Sequence, residues 1–212
     1  MPAKKNPRGK TPKKLRRDRK REIESLRRRI RRACRRSPDF KETVPVFGTG
    51  PVPCPLMVVG EAPGRVETRE GRPFVGRAGK FFVSILEDVF GKKRDDIYIT
   101  NVVKVWPTIK TKRLKTRTPT KKEEEFFRPF LTEEIRIVNP RVIVAVGKTA
   151  FSALVPGGEF RPGAWTEGPE GFSVMPVYHP AYLLRQQKKL KEHTDELKSA
   201  LGKVRRRLSK KG

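Results

Sequence analysis

Four short runs rich in Val and Ile constrain this chain more than anything else in it: PLMVVG (55–60), IYITNVVKV (97–105), RVIVAVG (141–147) and FSVMPVYH (172–179). Each is bounded by Gly, Pro or charge and is apolar without strict alternation, as a strand buried on both faces would be. Between them lie stretches with helical spacing: AGKFFVSILEDVF (78–90), KKEEEFFRPFLTEEIRIV (121–138, with Pro129 bending or splitting it) and KTAFSALV (148–155). Strands alternating with helices predict an α/β fold, a parallel sheet with helices on both faces. In such sheets ligands gather at the carboxyl ends of the strands.

The two ends of the chain read differently. Toward the C-terminus, Leu190, Leu197, Leu201, Val204 and Leu208 share one stripe, predicting a long amphipathic helix that closes the domain (39–202) and ends in a basic tail (203–212). At the N-terminus, residues 1–36 hold 18 Lys or Arg against Asp18, Glu22 and Glu24. The first twenty have almost no apolar side chains and are expected to be disordered. The following REIESLRRRIRRACRR places Ile23, Leu26, Ile30 and Ala33 on one face of a basic helix that Ser37-Pro38 stops, so residues 1–38 read as a basic arm. Such an arm would add nonspecific nucleic-acid affinity, and the activity of the domain would survive its removal.

A formal net charge of +28 calls for a polyanionic partner, nucleic acid before a membrane surface. No apolar run approaches the roughly 20 residues of a spanning helix. No apolar secretion segment opens the chain, and the arm is too Lys-dense and Ser-poor for a transit peptide. An intracellular, soluble protein of the cytoplasm, nucleoid or nucleus is expected. Cys34 and Cys54 are too few for a disulfide framework or a four-thiolate metal site, and no metal site is expected.

The strand ends carry the chemistry. GEAPGRVETREGRPFVG (60–76) follows the first strand, Asn101 lies in the second run, Gly147 follows the third, and His179-Pro180 follows the fourth. VGKT (146–149) is not a phosphate loop, because the first glycine of GxxxxGKS/T would fall at Val142. Glu61 sits where a pyrophosphate would go in a dinucleotide fold, which argues against a phosphate ligand. A carboxylate suits the positioning of water, and an amide at Asn101 reads the edge of a pyrimidine. His179 can donate to an oxygen that gains negative charge, and Phe74 offers a face for stacking. Together these groups suit a pocket for a flipped base.

GEAPGRVETREGRPFVGRAG, NVVKVWP, RTPTKKEEEFFRPFL, VIVAVGKTA and YHPAYLLR occur in this order, and the set closely resembles the uracil-DNA glycosylase superfamily, particularly family 4, over residues 44–190. The resemblance implies a three-layer α/β/α sandwich with a central four-stranded parallel sheet, and a monomeric glycosylase that excises uracil from double- or single-stranded DNA without a catalytic metal. It implies Glu61 or Glu67 as the water-activating carboxylate, and Glu61, Ala62 and Gly64 beside the base. Phe74 would stack on the base, Asn101 would read its edge, and His179 would bond its O2. Leu183 or Leu184, next to Arg185, would enter the DNA stack. The basic loop 108–119, with Lys110, Lys112, Arg113, Lys115 and Arg117, would grip phosphates.

The chain departs from the pattern in three places. Family 1 members have an Asp at the position of Ala62, and a thymine-excluding tyrosine at that of Gly64. Family 4 members usually hold an iron-sulfur cluster through four cysteines, yet here Val105 and Phe127 stand at two of those positions, and at most Cys34 answers to the N-terminal pair. A cluster needs its thiolates, so no cofactor is expected. The loop 108–119 lacks the histidine with which a related branch traps the sugar. Glycosylases for hypoxanthine or xanthine, and a nucleic-acid-binding member without catalysis, stay open as alternatives.

Overall fold

The computed structural model describes residues 11–110, 114–168 and 171–210. In chain order its elements are α1 (Pro12–Arg36), β1 (Leu56–Gly60), α2 (Arg65–Glu70), α3 (Arg77–Phe90), β2 (Tyr98–Asn101), β3 (Thr108–Lys110) and β4 (Leu114–Thr116). There follow α4 (Lys121–Val138), β5 (Val142–Val146), α5 (Lys148–Leu154), β6 (Thr166–Glu167), β7 (Ser173–Val177), α6 (Pro180–Arg185) and α7 (Leu190–Ser209).

The four anticipated strands form a parallel sheet in the order β2-β1-β5-β7, and the two-residue β6 adds an antiparallel edge beside β7. Every residue of β1, β2, β5 and β7 is buried, which explains their unalternating apolar sequences. Met57, Val59, Ile143 and Ala145 face a core shared with α1, α4 and α5, while Leu56, Val58, Val142 and Val144 face one shared with α3, α6 and α7. At about 1.5–3 kcal/mol for each large apolar side chain removed from water, these two layers dominate the stability.

Three segments differ from the sequence reading. The run 97–105 is strand only as far as Asn101; the Val102 N–H then donates to the Gly60 carbonyl (2.8 Å) and the Val103 N–H to that of Glu61 (3.0 Å). Val102, Val103 and Val105 are core residues of a turn, so burial without strand pairing produced the same apolar signal. α1 begins at Pro12, capped by the Thr11 side chain, so the stretch expected to be disordered is helical from residue 12; residues 1–10 lie outside the described residues. Ile23, Leu26, Ile30 and Cys34 are buried, so α1 is part of the core rather than an appendage. Likewise α7 continues to Ser209 with Val204 fully buried, where a basic tail was expected from 203. Pro129 lies within a continuous α4. Among the described residues no helix is long and apolar enough to cross a membrane.

Candidate active site

β1 and β5 are neighbours, but the chain leaves β1 toward β2 and β5 toward β7, so a crevice opens at their carboxyl ends. A cleft of about 660 Å³ occupies that position, and Glu61, Ala62, Gly64, Glu67, Phe74, Asn101, His179 and Arg185 all line it. The topology therefore brings together residues spread over more than a hundred positions.

Phe74 and Asn101 meet above Gly60, the last residue of β1. A Cβ there would lie 2.4 Å from Asn101 Oδ1 and 2.6 Å from Phe74 Cζ, so only glycine leaves the amide and the ring their places. Phe74 has a φ of 58°, unusual for a bulky residue, and its backbone packs so closely on Gly79 of α3 that a Cβ at Gly79 would meet it at 2.4 Å. Its ring leans on Phe82 at 5.6 Å between centroids.

Asn101 is held from below by a buried ion pair. Lys104 Nζ donates to the Asn101 carbonyl (2.5 Å), to Thr100 Oγ1 (2.8 Å) and to Glu134 Oε2 (2.6 Å), while Tyr98 OH donates to Glu134 Oε1 (2.8 Å). The lysine side chain is wholly buried, and this set of acceptors satisfies its charge.

His179 is the N-cap of α6, and its Nδ1 accepts the Ala181 N–H at 3.2 Å. The ring proton therefore sits on Nε2, leaving a donor for the cleft. Burial, reinforced by Arg185 and opposed by Glu67, pushes the His179 pKa down to about 4, so the ring is neutral at pH 7. Gly147, at φ 91°, permits this placement, since a Cβ there would lie 3.2 Å from His179 Cβ.

The two candidate carboxylates differ in their surroundings. Burial raises the Glu61 pKa, a hydrogen bond with Thr149 opposes the rise, and Glu124 adds to it. Glu67 instead braces the loop: Oε2 accepts the Gly64 N–H (3.1 Å) and Oε1 accepts the Gly76 N–H (2.7 Å), so its carboxylate joins the two ends of the α2 segment. A Cβ at Gly64 or at Gly76 would come within 2.9 Å of that carboxylate.

The residues expected on DNA divide. Leu183 is fully buried in the core with α3 and α7, which removes it as a wedge, whereas Leu184 is half-buried and Arg185 exposed. Arg117 forms a two-pronged pair with Glu123 (2.6 and 2.8 Å) and donates to the Thr108 carbonyl, so it ties the β3-β4 hairpin to α4 instead of standing free for a phosphate. Lys115 is exposed on β4; Lys112, Arg113 and the Lys110 side chain lie outside the described residues. Sequence reasoning missed Thr149, Glu134 and Lys104, although a lone lysine inside the apolar NVVKV was a readable signal. It also missed Ile109 and Leu114, apolar side chains 52% and 57% exposed on the hairpin beside the cleft.

A model of the uracil DNA glycosylase superfamily matches residues 47–202, which hold the whole sheet and every cleft residue named above. The chain belongs to the uracil DNA glycosylase superfamily. The type-4 uracil-DNA glycosylase of Thermotoga maritima is 41% identical over 149 residues, 67% of this chain and 72% of that protein. That of Saccharolobus solfataricus is 33% identical over 76% of this chain and 77% of its own length. A type-5 uracil-DNA glycosylase of Pyrobaculum aerophilum is 31% identical over 66% of each. The family-4 resemblance carried by the five ordered blocks is thus shown.

The donor set of this superfamily member does not fit the iron-sulfur cluster that its family-4 resemblance implies. Val105 (1% exposed) and Phe127 (0%) fill two of the ligand positions with hydrocarbon, and Phe127 packs on Phe40 and Phe126 at 5.3 and 4.9 Å. Cys34 is buried in the same core with its thiol pushed up to about 11, a poor starting point for a thiolate ligand. The Cys54 thiol donates to the Leu56 carbonyl at 3.1 Å. Among the described residues no group of three or more His, Cys, Asp or Glu could hold a metal ion.

Proposed function

We propose that this superfamily member hydrolyses the N-glycosidic bond of a uracil flipped out of DNA, leaving an abasic site. The observation that carries the reading is the convergence of the Phe74 ring, the Asn101 amide and the neutral His179 ring on one cleft at the strand ends. The flipped base stacks on Phe74 and offers its N–H and C=O edge to Asn101. As the bond breaks, its electron pair passes to N1 of uracil and charge spreads to O2, where the Nε2–H of His179 donates. Because that ring is neutral, it stabilises the anion by hydrogen bonding and keeps its proton. Water adds to C1′ of the oxocarbenium-like sugar, and Glu61, whose basicity burial raises, accepts the water proton. Glu67 holds the loop that carries Ala62 and Gly64. A marked surplus of Lys and Arg supports DNA as the partner, and we infer a monomer that acts inside the cell, where its DNA substrate lies. We infer that the protein works without an iron-sulfur cluster.

The test is incubation with oligonucleotides carrying one uracil, hypoxanthine or xanthine, followed by alkaline cleavage. Strand scission at uracil is expected, with loss of scission in Asn101→Ala and His179→Ala. Tight binding without scission at any base would replace this reading with that of a noncatalytic binding protein, and scission confined to a purine would change the substrate.

A further inference from the structure

We propose that the end of the molecule opposite the cleft binds a second segment of duplex DNA, so that one chain holds two duplexes at once. The identity of the first segment rests on the glycosylase reading; the second rests on charge and placement alone. α4 starts beside the cleft, which Thr118 lines, and ends at Val138 ahead of β5, on the amino edge of the sheet. α1 runs antiparallel along it: Phe40 meets Phe126 and Phe127 near the start of α4, Arg29 pairs with Glu133, and Arg19 donates to the carbonyls of Arg136 and Ile137 at its end. Residues 12–18 of α1 therefore lie past the last turn of α4, on the far end of the domain.

That far end is densely basic. Residues 13–21 include seven Lys or Arg, of which Lys13, Lys14, Arg16, Arg17, Lys20 and Arg21 are exposed. A second element converges there, because Arg141 donates to the carbonyls of Leu208 and Lys210 (3.3 and 2.9 Å) and so fixes the basic end of α7. Exposed Arg136, Arg141 and Arg207 line one shallow depression of about 540 Å³, continuous with the contact that Arg19 makes to α4. Asp18 is the acidic residue within 13–21, against seven Lys or Arg, and Glu22 follows directly.

This charge is out of reach of DNA in the cleft. The eighteen residues of α4 span about 27 Å at a rise of about 1.5 Å per residue. A duplex with a persistence length of about 150 base pairs does not fold back over that distance within a short site. The far end offers cations in place of groups arranged to read base edges, so the second segment is held through its phosphates regardless of sequence.

The test uses the full chain, at concentrations where light scattering shows a monomer. A uracil-containing duplex is fixed to beads, protein is added, and retention of a second, fluorescent, undamaged duplex is measured across a salt series. Wild-type protein is expected to retain it. In the combined Lys13→Gln, Lys14→Gln, Arg16→Gln and Arg17→Gln variant, retention should fall, and its log–log salt slope should decrease by roughly 0.9 for each phosphate that is no longer neutralised. Excision and the circular dichroism melt should not change. Asn101→Ala should do the reverse, losing excision while still retaining the second duplex. Equal retention by the Gln variant, one-for-one displacement of the first duplex by the second, or retention of RNA or anionic vesicles but not DNA would each overturn the proposal. Retention without any excision by wild-type protein would support it while sinking the glycosylase reading.

Discussion

The Lys104 ammonium lies 2.5 Å from the Asn101 carbonyl and 2.6 Å from Glu134 Oε2, so the residue proposed to read the base is anchored by a charge buried beneath it. Lys104→Met strands the Glu134 carboxylate, at a cost of roughly 3–5 kcal/mol in denaturant unfolding. Lys104→Met with Glu134→Gln removes both charges and should recover much of that stability while depriving the Asn101 carbonyl of its buried donor. Steady-state kinetics on a uracil oligonucleotide should then show a raised KM. Wild-type kcat and KM in a stably folded double variant would show that the anchor is irrelevant to the site.

The His179 pKa of about 4 lies below the ordinary 6.5, because burial disfavours the charged ring. The unfolded chain therefore binds the extra proton first. Stability linked to this ring is complete above about pH 6.5 and declines toward pH 4, by at most about 1.4 kcal/mol per pH unit. Urea unfolding at pH 7 and pH 4.5 should reveal that slope in wild-type protein, and a His179→Gln variant should lack it. An identical slope in both would mean that His179 titrates normally.

Glu61 as the base that accepts the water proton has a kinetic signature. Its pKa is raised, so the acid limb of the single-turnover rate should lie above the usual carboxylate range and disappear in Glu61→Gln, whose kcat should fall by about 100-fold or more. Glu67→Gln should act differently. It keeps one acceptor oxygen for the loop, so a loss of about 1 kcal/mol of stability and a raised KM are expected, with the acid limb retained. A limb that follows Glu67 would exchange the two roles.

Removal of residues 1–36 should unfold the protein, contrary to the expectation for a detachable arm. It uncovers the partners of Ile23, Leu26 and Ile30, each worth about 1.5–3 kcal/mol, out of a net stability of order 5–15 kcal/mol. Loss of a cooperative thermal transition is the expected result. Full excision by a stably folded truncated chain would show that α1 contributes little.

Protein purified under anaerobic conditions should be colourless and free of iron, since Val105 and Phe127 supply no thiolate. Broad absorbance near ~400 nm with stoichiometric iron would reverse that conclusion. Cys34 should react slowly with thiol reagents at pH 8, its pKa being pushed up to about 11 by burial.

The sequence by itself determined the layers. Runs such as VIVAV are apolar on both faces because helices cover both faces of a parallel sheet, and that constraint is local enough to be written residue by residue. The gathering of Glu61, Asn101 and His179 at one cleft was legible too, since each lies at or just after the end of a strand, and Phe74 lies in the loop that follows β1. Tertiary structure alone decided how each of them is held. Glu67 and Glu61 look alike in GEAPGRVETREG, and only the closure of the loop, which aims two backbone N–H groups at Glu67, makes one a brace and leaves the other the candidate base. Leu183 and Leu184 are adjacent and chemically alike, and the packing of α6 on α3 and α7 buries the first. The basic arm became a core helix for the same reason: Ile23, Leu26 and Ile30 were legible as its apolar face, with Cys34 buried where Ala33 was expected, but whether they would find a partner depended on α4 presenting a matching face about a hundred residues away. Periodicity records that a side chain has an inside; only the fold supplies what lies there.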